Sequence, residues 1–147
     1  MKRSANPSGI SSRLSKLDYE LLANFRHVLR EFFHFSEEAS RAAGIPPHQH
    51  QAMLAIAGSP GRDHITVGML AERLQIKHQS AVGLANRMMS RGLVVKKSSP
   101  TDKRQVLLGL TKSGKRELER LSAAHKAEIA RMSPVLRKIL NNLKTIT

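Results

Sequence analysis

Residues 66–110 read TVGMLAERLQIKHQSAVGLANRMMSRGLVVKKSSPTDKRQVLLGL, and this stretch decides the fold. Thr66 precedes a run whose apolar positions Val67, Leu70, Ala71 and Leu74 recur at helical spacing, so its hydroxyl is placed to cap a short helix. After Gln75-Ile76-Lys77, a second stripe runs through Ala81, Leu84, Ala85 and Met88 and stops at Gly92. Leu93 to Lys97 is β-branched and basic, Ser98 to Asp102 is turn chemistry, and Gln105 to Leu110 is apolar with no helix-start signal. Two short helices joined tightly and followed by a two-stranded hairpin with a basic tip have the order of a winged helix-turn-helix. In such an arrangement the second helix fits the major groove of double-stranded DNA, and the hairpin tip reaches the flanking backbone or minor groove.

The second helix begins at His78. At about 100° per residue its apolar stripe leaves Gln79, Gly83, Asn86 and Ser90 on the opposite side, flanked by Ser80, Val82 and Arg87. Amides, hydroxyls and guanidinium groups read base edges or hold phosphates, and Gly83 would allow a close approach to DNA. The same composition also suits an ordinary solvent-facing helix.

Working outward, residues 1–12 hold Asn6, Pro7, Gly9 and several serines with almost no apolar residue, and read as a flexible basic arm. From Leu14 the apolar positions Leu17, Leu21, Phe25, Val28, Phe32 and Phe35 step by three or four, which predicts one long helix ending near Ala43, with Gly44 as its stop. A second helix is predicted from Pro47 to near Gly58, burying Met53, Leu54 and Ile56. Ile65-Thr66 reads as a short extended piece. Beyond the hairpin, Thr111 can cap a helix through Leu118, Leu121 and Ile129 towards Met132, and Ser133-Pro134 is read as the restart of a last helix with the stripe Leu136, Ile139, Leu140, Leu143 and Ile146. The fold class is therefore mainly α with a small β-hairpin wing.

The 147 residues suffice for one domain, and 40% hydrophobic content supports a real core. No apolar run approaches the roughly 18 residues of a membrane span, and no secretory signal is visible, so no membrane partner is expected and a cytoplasmic location fits. The absence of cysteine excludes disulfides, thiolate metal sites and cysteine nucleophiles. Net charge is +14, distributed as +4 over residues 1–16, −2 over 17–61, and +6 over each of 62–104 and 105–147. A folded chain with this basic second half is expected to meet a polyanion, usually nucleic acid. No nucleophile with a base, paired carboxylates or phosphate loop stands out, so an enzyme is not expected.

Over Ile65 to Gly114 the chain resembles the MarR family of transcriptional regulators. The segments that carry the likeness are Thr66 to Leu74, Ser80-Ala81-Val82-Gly83-Leu84, Arg91-Gly92-Leu93-Val94, Asp102-Lys103-Arg104 and Leu110-Thr111-Lys112-Ser113-Gly114, in this order and spacing. The stretch Asn86-Arg87-Met88-Met89-Ser90 departs from the acidic, leucine-rich sequence of many relatives, which puts any borrowed operator sequence in doubt. The resemblance implies a homodimer whose dimerisation helices lie in residues 13–46 and 111–147, with a winged DNA-binding lobe over 47–110, all within one domain of residues 13–147. The long apolar stripes of the terminal helices agree, since one chain of this length has little else to cover them. Two-fold symmetry then implies a pseudo-palindromic operator with half-sites about 34 Å apart.

On the same resemblance, Arg104 would enter the minor groove or clamp phosphate, Asp102 would orient it or a neighbouring arginine, and Lys96, Lys97 and Lys103 would add phosphate contacts. Family members often bind small aromatic or anionic effectors, and Phe25, Leu29, Phe32, His50 and Met53 lie on elements that would line such a cleft; as aromatic and Met positions at helical spacing, they equally suit plain core. Repression is the family-level expectation. Seven histidines raise a metal-responsive alternative, but His48 and His50 are two apart and diverge on a helix, so no metal or other cofactor is expected. A non-specific architectural DNA binder would use the same charge without base readout.

Overall fold

The computed structural model describes residues 13–143; the residue 1–12 arm and Ile146 lie outside them. Its elements are α1 (Lys16–Ala42), α2 (Pro47–Ala57), β1 (His64–Thr66), α3 (Val67–Leu74), α4 (His78–Ser90), β2 (Val94–Ser98), β3 (Val106–Leu110) and α5 (Lys112–Leu143). They form two compact units, one of residues 32–131 and one comprising the described residues up to 31 and from 132 onwards. The division falls inside α1 and inside α5. This is a mostly helical winged helix-turn-helix fold with a small antiparallel sheet.

In the larger unit, the two stripes read from the sequence are the ones that are buried. Leu70 and Ala71 of α3 and Ala81, Leu84, Ala85 and Met88 of α4 join Met53 and Ile56 of α2, Ile65, Leu93, Val94 and Leu108 of the sheet region, and Leu118 and Leu121 of α5 in one core. Removing a side chain such as Leu84 from a core of this kind costs about 2–5 kcal/mol.

The turns are built on one device used three times. After α1, α3 and α4, the residue at the C-terminal turn takes a left-handed conformation: Gly44 at φ 75°, Gln75 at 53° and Gly92 at 70°. The following amides then reach back, Ile45 N–H to the Ser40 carbonyl, Ile76 N–H to Ala71 and Leu93 N–H to Met88, each at 3.0 Å. Together with hydrogen bonds from the Gly44, Gln75 and Gly92 N–H groups to the Arg41, Glu72 and Met89 carbonyls, this satisfies the last helical carbonyls and turns the chain sharply. Thr66 caps α3 as expected, its Oγ1 accepting from Met69 N–H at 3.1 Å. The Arg91 guanidinium donates to the Gly44 carbonyl at 2.7 Å, joining the turn after α4 to the turn after α1.

Two expectations are corrected. The wing is part of a three-stranded sheet in the order β1-β3-β2, because Ile65-Thr66 extends to His64–Thr66 and pairs antiparallel with β3, Ile65 opposite Leu108. Three residues are too few to show a periodicity, but the pairing satisfies backbone groups on both edges of β3. Ser133-Pro134 does not restart a helix: α5 is continuous from Lys112 to Leu143 with Pro134 inside it. Pro134 lacks the N–H that would bond the Ala130 carbonyl, a local loss that the helical sequence on either side spans.

Thr111 and Gly114 fasten α5 to the rest. Thr111 Oγ1 accepts from Gly114 N–H at 3.0 Å and donates to the Gly92 carbonyl at 2.6 Å, while Thr111 N–H bonds the Leu93 carbonyl at 3.1 Å. Gly114 lies so close to this strand start that an added Cβ would run into the Leu93 carbonyl oxygen.

The smaller unit buries Leu21, Val28, Met132 and Ile139. It leaves Leu14, Leu17, Tyr19, Leu22, Val135 and Leu140 about half exposed.

Thermal melts test two of these contacts. Gly114→Ala is expected to destabilise the chain by about 1–3 kcal/mol, because the strand backbone must move to admit the methyl group. Gln75→Gly should have the opposite sign, a gain of up to about 1 kcal/mol, by relieving the left-handed conformation.

Candidate nucleic-acid interface

A groove of about 450 Å³ runs between α4, the start of α3 and the root of the wing. Its walls include His78, Val82 and Asn86 from α4, Lys96 from β2, Arg104 from the wing tip, and Thr66 and Gly68 from the α3 cap. These elements meet here because α4 buries its other side in the core and β2 leaves that core at Val94. The lining holds two fixed cations and no carboxylate, so a polyanion entering it meets only attractive charge.

The wing tip is organised by its own hydroxyls and carboxylate. Ser99 is buried, and its Oγ accepts from the N–H groups of Thr101 at 3.3 Å and Asp102 at 3.2 Å. Asp102 Oδ1 accepts from Arg104 N–H at 2.9 Å, and Gln105 N–H donates to the Asp102 carbonyl at 3.1 Å. Such side-chain bonds to nearby backbone fix a turn that would otherwise be mobile. Asp102 therefore orients Arg104 through its main chain, leaving the guanidinium available to a ligand.

The residues expected from sequence fall into separate places. His78, Val82, Asn86, Lys96 and Arg104 converge on the groove. Ser80 and Arg87 line a different depression of about 320 Å³, shared with His48 and Gln51 of α2. Gln79 is exposed, and Gly83 lies beneath the Arg87 guanidinium, whose Nη1 would be 3.3 Å from an added Cβ. Lys103 is exposed at the tip. Adjacent strand residues face opposite sides of a sheet. Accordingly Lys97 does not join Lys96: it lies across Gly109, where the absent Cβ leaves room, and its charge helps to hold the Asp63 carboxylate below the usual range. The first cause of that lowering is the hydrogen bond from His64 at 3.3 Å.

Of the residues considered for an effector cleft, Phe25 and Leu29 are half-buried on the first part of α1, and Met53 is fully enclosed in the core. His50 lines a cavity of about 260 Å³ between α2 and α5, with Leu54, Ser122, His125, Lys126 and Ile129. Phe32 packs its ring against His125, with centroids 6.0 Å apart. His125 and Lys126 were not singled out from sequence, and Leu54, expected in the core, is instead half exposed at this cavity. His125 falls seven residues after Leu118 and four after Leu121, so the buried stripe of α5 already pointed to it. Among the described residues no group of three or more His, Asp or Glu side chains is placed to hold a metal.

The buried stripes, the three-stranded sheet and the groove define a winged helix-turn-helix protein. Comparison with known proteins is specific about which kind: the model of the MarR family matches residues 43–105. A putative transcriptional regulatory protein for the hcr operon of Thauera aromatica is 28% identical over 99 residues, which make up 67% of this chain and 58% of that protein. The HTH-type transcriptional repressor MdtR of Bacillus subtilis is 25% identical over 118 residues, 80% of this chain and 72% of that protein. Two solved structures share the fold. A variant of S. aureus MepR bound to an oligodeoxyribonucleotide has a TM-score of 0.63 at 20% identity, covering 89% of this chain and 99% of that one. NadR in complex with 4-hydroxyphenylacetate has a TM-score of 0.66 at 22% identity, covering 94% of each chain. Over residues 43–105 the chain is thus similar to MarR-family transcriptional regulators.

Fluorescence anisotropy across a salt series tests the wing. Arg104→Ala should weaken DNA binding for all sequences and reduce the salt slope by about one. Asp102→Ala should also weaken binding, although it removes a negative charge, because the turn that presents Arg104 is lost; tighter binding would show that Asp102 acts only through its charge.

Proposed function

We propose that the chain is a sequence-specific regulator of transcription that binds a pseudo-palindromic site on double-stranded DNA as a homodimer, acts as a repressor, and responds to a small aromatic or anionic effector in the cytoplasm. The observation that carries the DNA reading is the acid-free groove in which Val82 and Asn86 of α4 stand beside Lys96 and Arg104 of the wing. The amide of Asn86 suits a base edge and the Val82 side chain suits a thymine methyl, while the cations suit phosphate or the minor groove. The MepR complex with an oligodeoxyribonucleotide supports this use of the fold, and the name of MdtR supports repression.

The homodimer reading rests on the terminal helices. Leu14 just before α1, Leu17 and Leu22 of α1, and Val135 and Leu140 of α5 leave an apolar surface of the kind that a partner chain covers. The effector reading is supported by the NadR complex with 4-hydroxyphenylacetate. As a regulator the chain needs no catalytic group.

Anisotropy against DNA selected from the source genome and against shuffled DNA tests the reading directly. A specificity ratio of about 10³ or more is expected of a regulator, and equal binding that collapses with salt would make the chain an architectural binder. Asn86→Ala should lose about 1–3 kcal/mol of discrimination at one base position while leaving affinity for shuffled DNA unchanged. Sedimentation equilibrium should give twice the chain mass, and a monomer at micromolar concentration would remove the homodimer.

A further inference from the structure

Away from the DNA-facing groove, two imidazoles are buried against one another. His50 of α2 is 3% exposed and His125 of α5 is 8% exposed, with ring centroids 4.6 Å apart and planes tilted by 42°. The two rings are not equivalently satisfied. His125 places Nδ1 2.6 Å from the Leu121 carbonyl, which can only accept, so Nδ1 carries the proton; Nε2 then accepts from the Ser36 hydroxyl of α1 at 2.8 Å. A neutral His125 thus has both nitrogens used, and the edges of Phe32 and Phe35 close around it. Neither nitrogen of His50 has a hydrogen-bond partner among the described residues.

We propose that the His50–His125 pair is an acid-released latch that holds α2 against α5 and the adjoining part of α1. Its two states differ by one proton on His50. With His50 neutral, the rings stack in an apolar setting between Leu54 and Ile129, and α2 stays closed on α5. An imidazolium at the same place would bury a charge and two N–H donors without an acceptor. No carboxylate lines the cavity to offset that charge: α5 contributes His125, Lys126 and the Ser122 hydroxyl, which makes no hydrogen bond to His50, α2 contributes Leu54, and α1 contributes Ser36 behind His125. The only fixed charge in the cavity is the Lys126 ammonium, of the same sign. A protonated His50 is stabilised by reaching water, and the open cavity beside it gives the ring a route if α2 loosens from α5.

Burial, with the neighbouring His125 adding to it, lowers His50 from an ordinary 6.5 to about 4. The sign follows from linkage. A released His50 binds more protons than the latched one between those two values, so the latch is at full strength above about pH 6.5 and weakens as pH falls towards 4. Exposed His27 and His34 pair with Glu31 and Glu38 on α1 and are outside the latch.

Nuclear magnetic resonance of the full chain between pH 7.5 and 4.5 tests the proposal. The His50 ring should titrate well below the ordinary imidazole value of 6.5. Hydrogen-exchange protection factors of α2 amides should fall on the order of tenfold from pH 7 to pH 5, while those of β3 hold. His50→Phe, which keeps a flat ring but cannot take a proton, should flatten the α2 profile. Titration of His50 at the ordinary value of 6.5, α2 protection that keeps pace with β3, or an unchanged acid loss in His50→Phe would each overturn the latch. The first two outcomes are read from the unaltered chain, so the test stands even if the variant fails to fold.

Discussion

The position of the wing depends on the junction around Thr111. Its hydroxyl accepts from Gly114 N–H and donates to the Gly92 carbonyl, and its own N–H takes the Leu93 carbonyl. Four pieces of chain end or begin within these few bonds: the turn after α4, the start of β2, the end of β3 and the first turn of α5. Gly92 must be left-handed to deliver its carbonyl there, and Gly114 must lack a side chain for α5 to come close enough. Consequently the distance between the exposed side of α4 and the root of the wing is set by bonds to main-chain groups, made by one short β-branched side chain and its own amide, rather than by long flexible side chains. A groove with fixed walls is what separates base readout from loose charge attraction.

Charge alone would not make that groove selective. Lys96 and Lys97 are consecutive, yet the pleat sends them to opposite sides of the sheet, so that one serves the groove and the other lies over Gly109. The wing tip shows the same economy. An acidic residue at the tip of a basic wing opposes DNA binding on electrostatic grounds, but the Asp102 carboxylate is occupied by Arg104 N–H and converts its charge into turn geometry. Ser99 works from beneath, buried where its hydroxyl holds two further amides.

How much of this was legible in the sequence depends on the range of the interaction. The α4 stripe Ala81, Leu84, Ala85 and Met88 was fully readable, because helical period and burial are local to one element and the core has one side to take it. The Thr66 and Thr111 caps were readable for the same reason, as each spans three residues. The third strand was only half legible: Ile65-Thr66 reads as extended, but His64–Thr66 becomes a strand only by pairing with residues more than forty positions away. Pro134 misled because a proline signals the loss of one bond, and whether a long helix tolerates that loss is decided by its flanks. Gly114 showed itself only as part of a pattern; its reason is the Leu93 carbonyl, a contact that no spacing rule contains. The α2–α5 cavity was half-visible, with His50 noted and His125 missed, because the two meet only through tertiary packing.

Regulation at a distance requires an element with two arrangements that touches both ends of the path. Within the larger unit α2 has the right connections. It packs against α3, α4 and β3, which carry or support the groove between α4 and the wing, and its other side presents His50 and Leu54 to the α5 cavity. Shared burial makes the coupling physical: Met53 and Ile56 of α2 lie in the same core as Leu84 and Met88 of α4, so α2 cannot shift as a body without repacking α4. Close-packed cores respond to such a shift by changing between discrete arrangements rather than by yielding gradually. A proton or a small molecule at the α2–α5 cavity would therefore shift α4 and the walls of the groove it lines, without any contact at the groove itself.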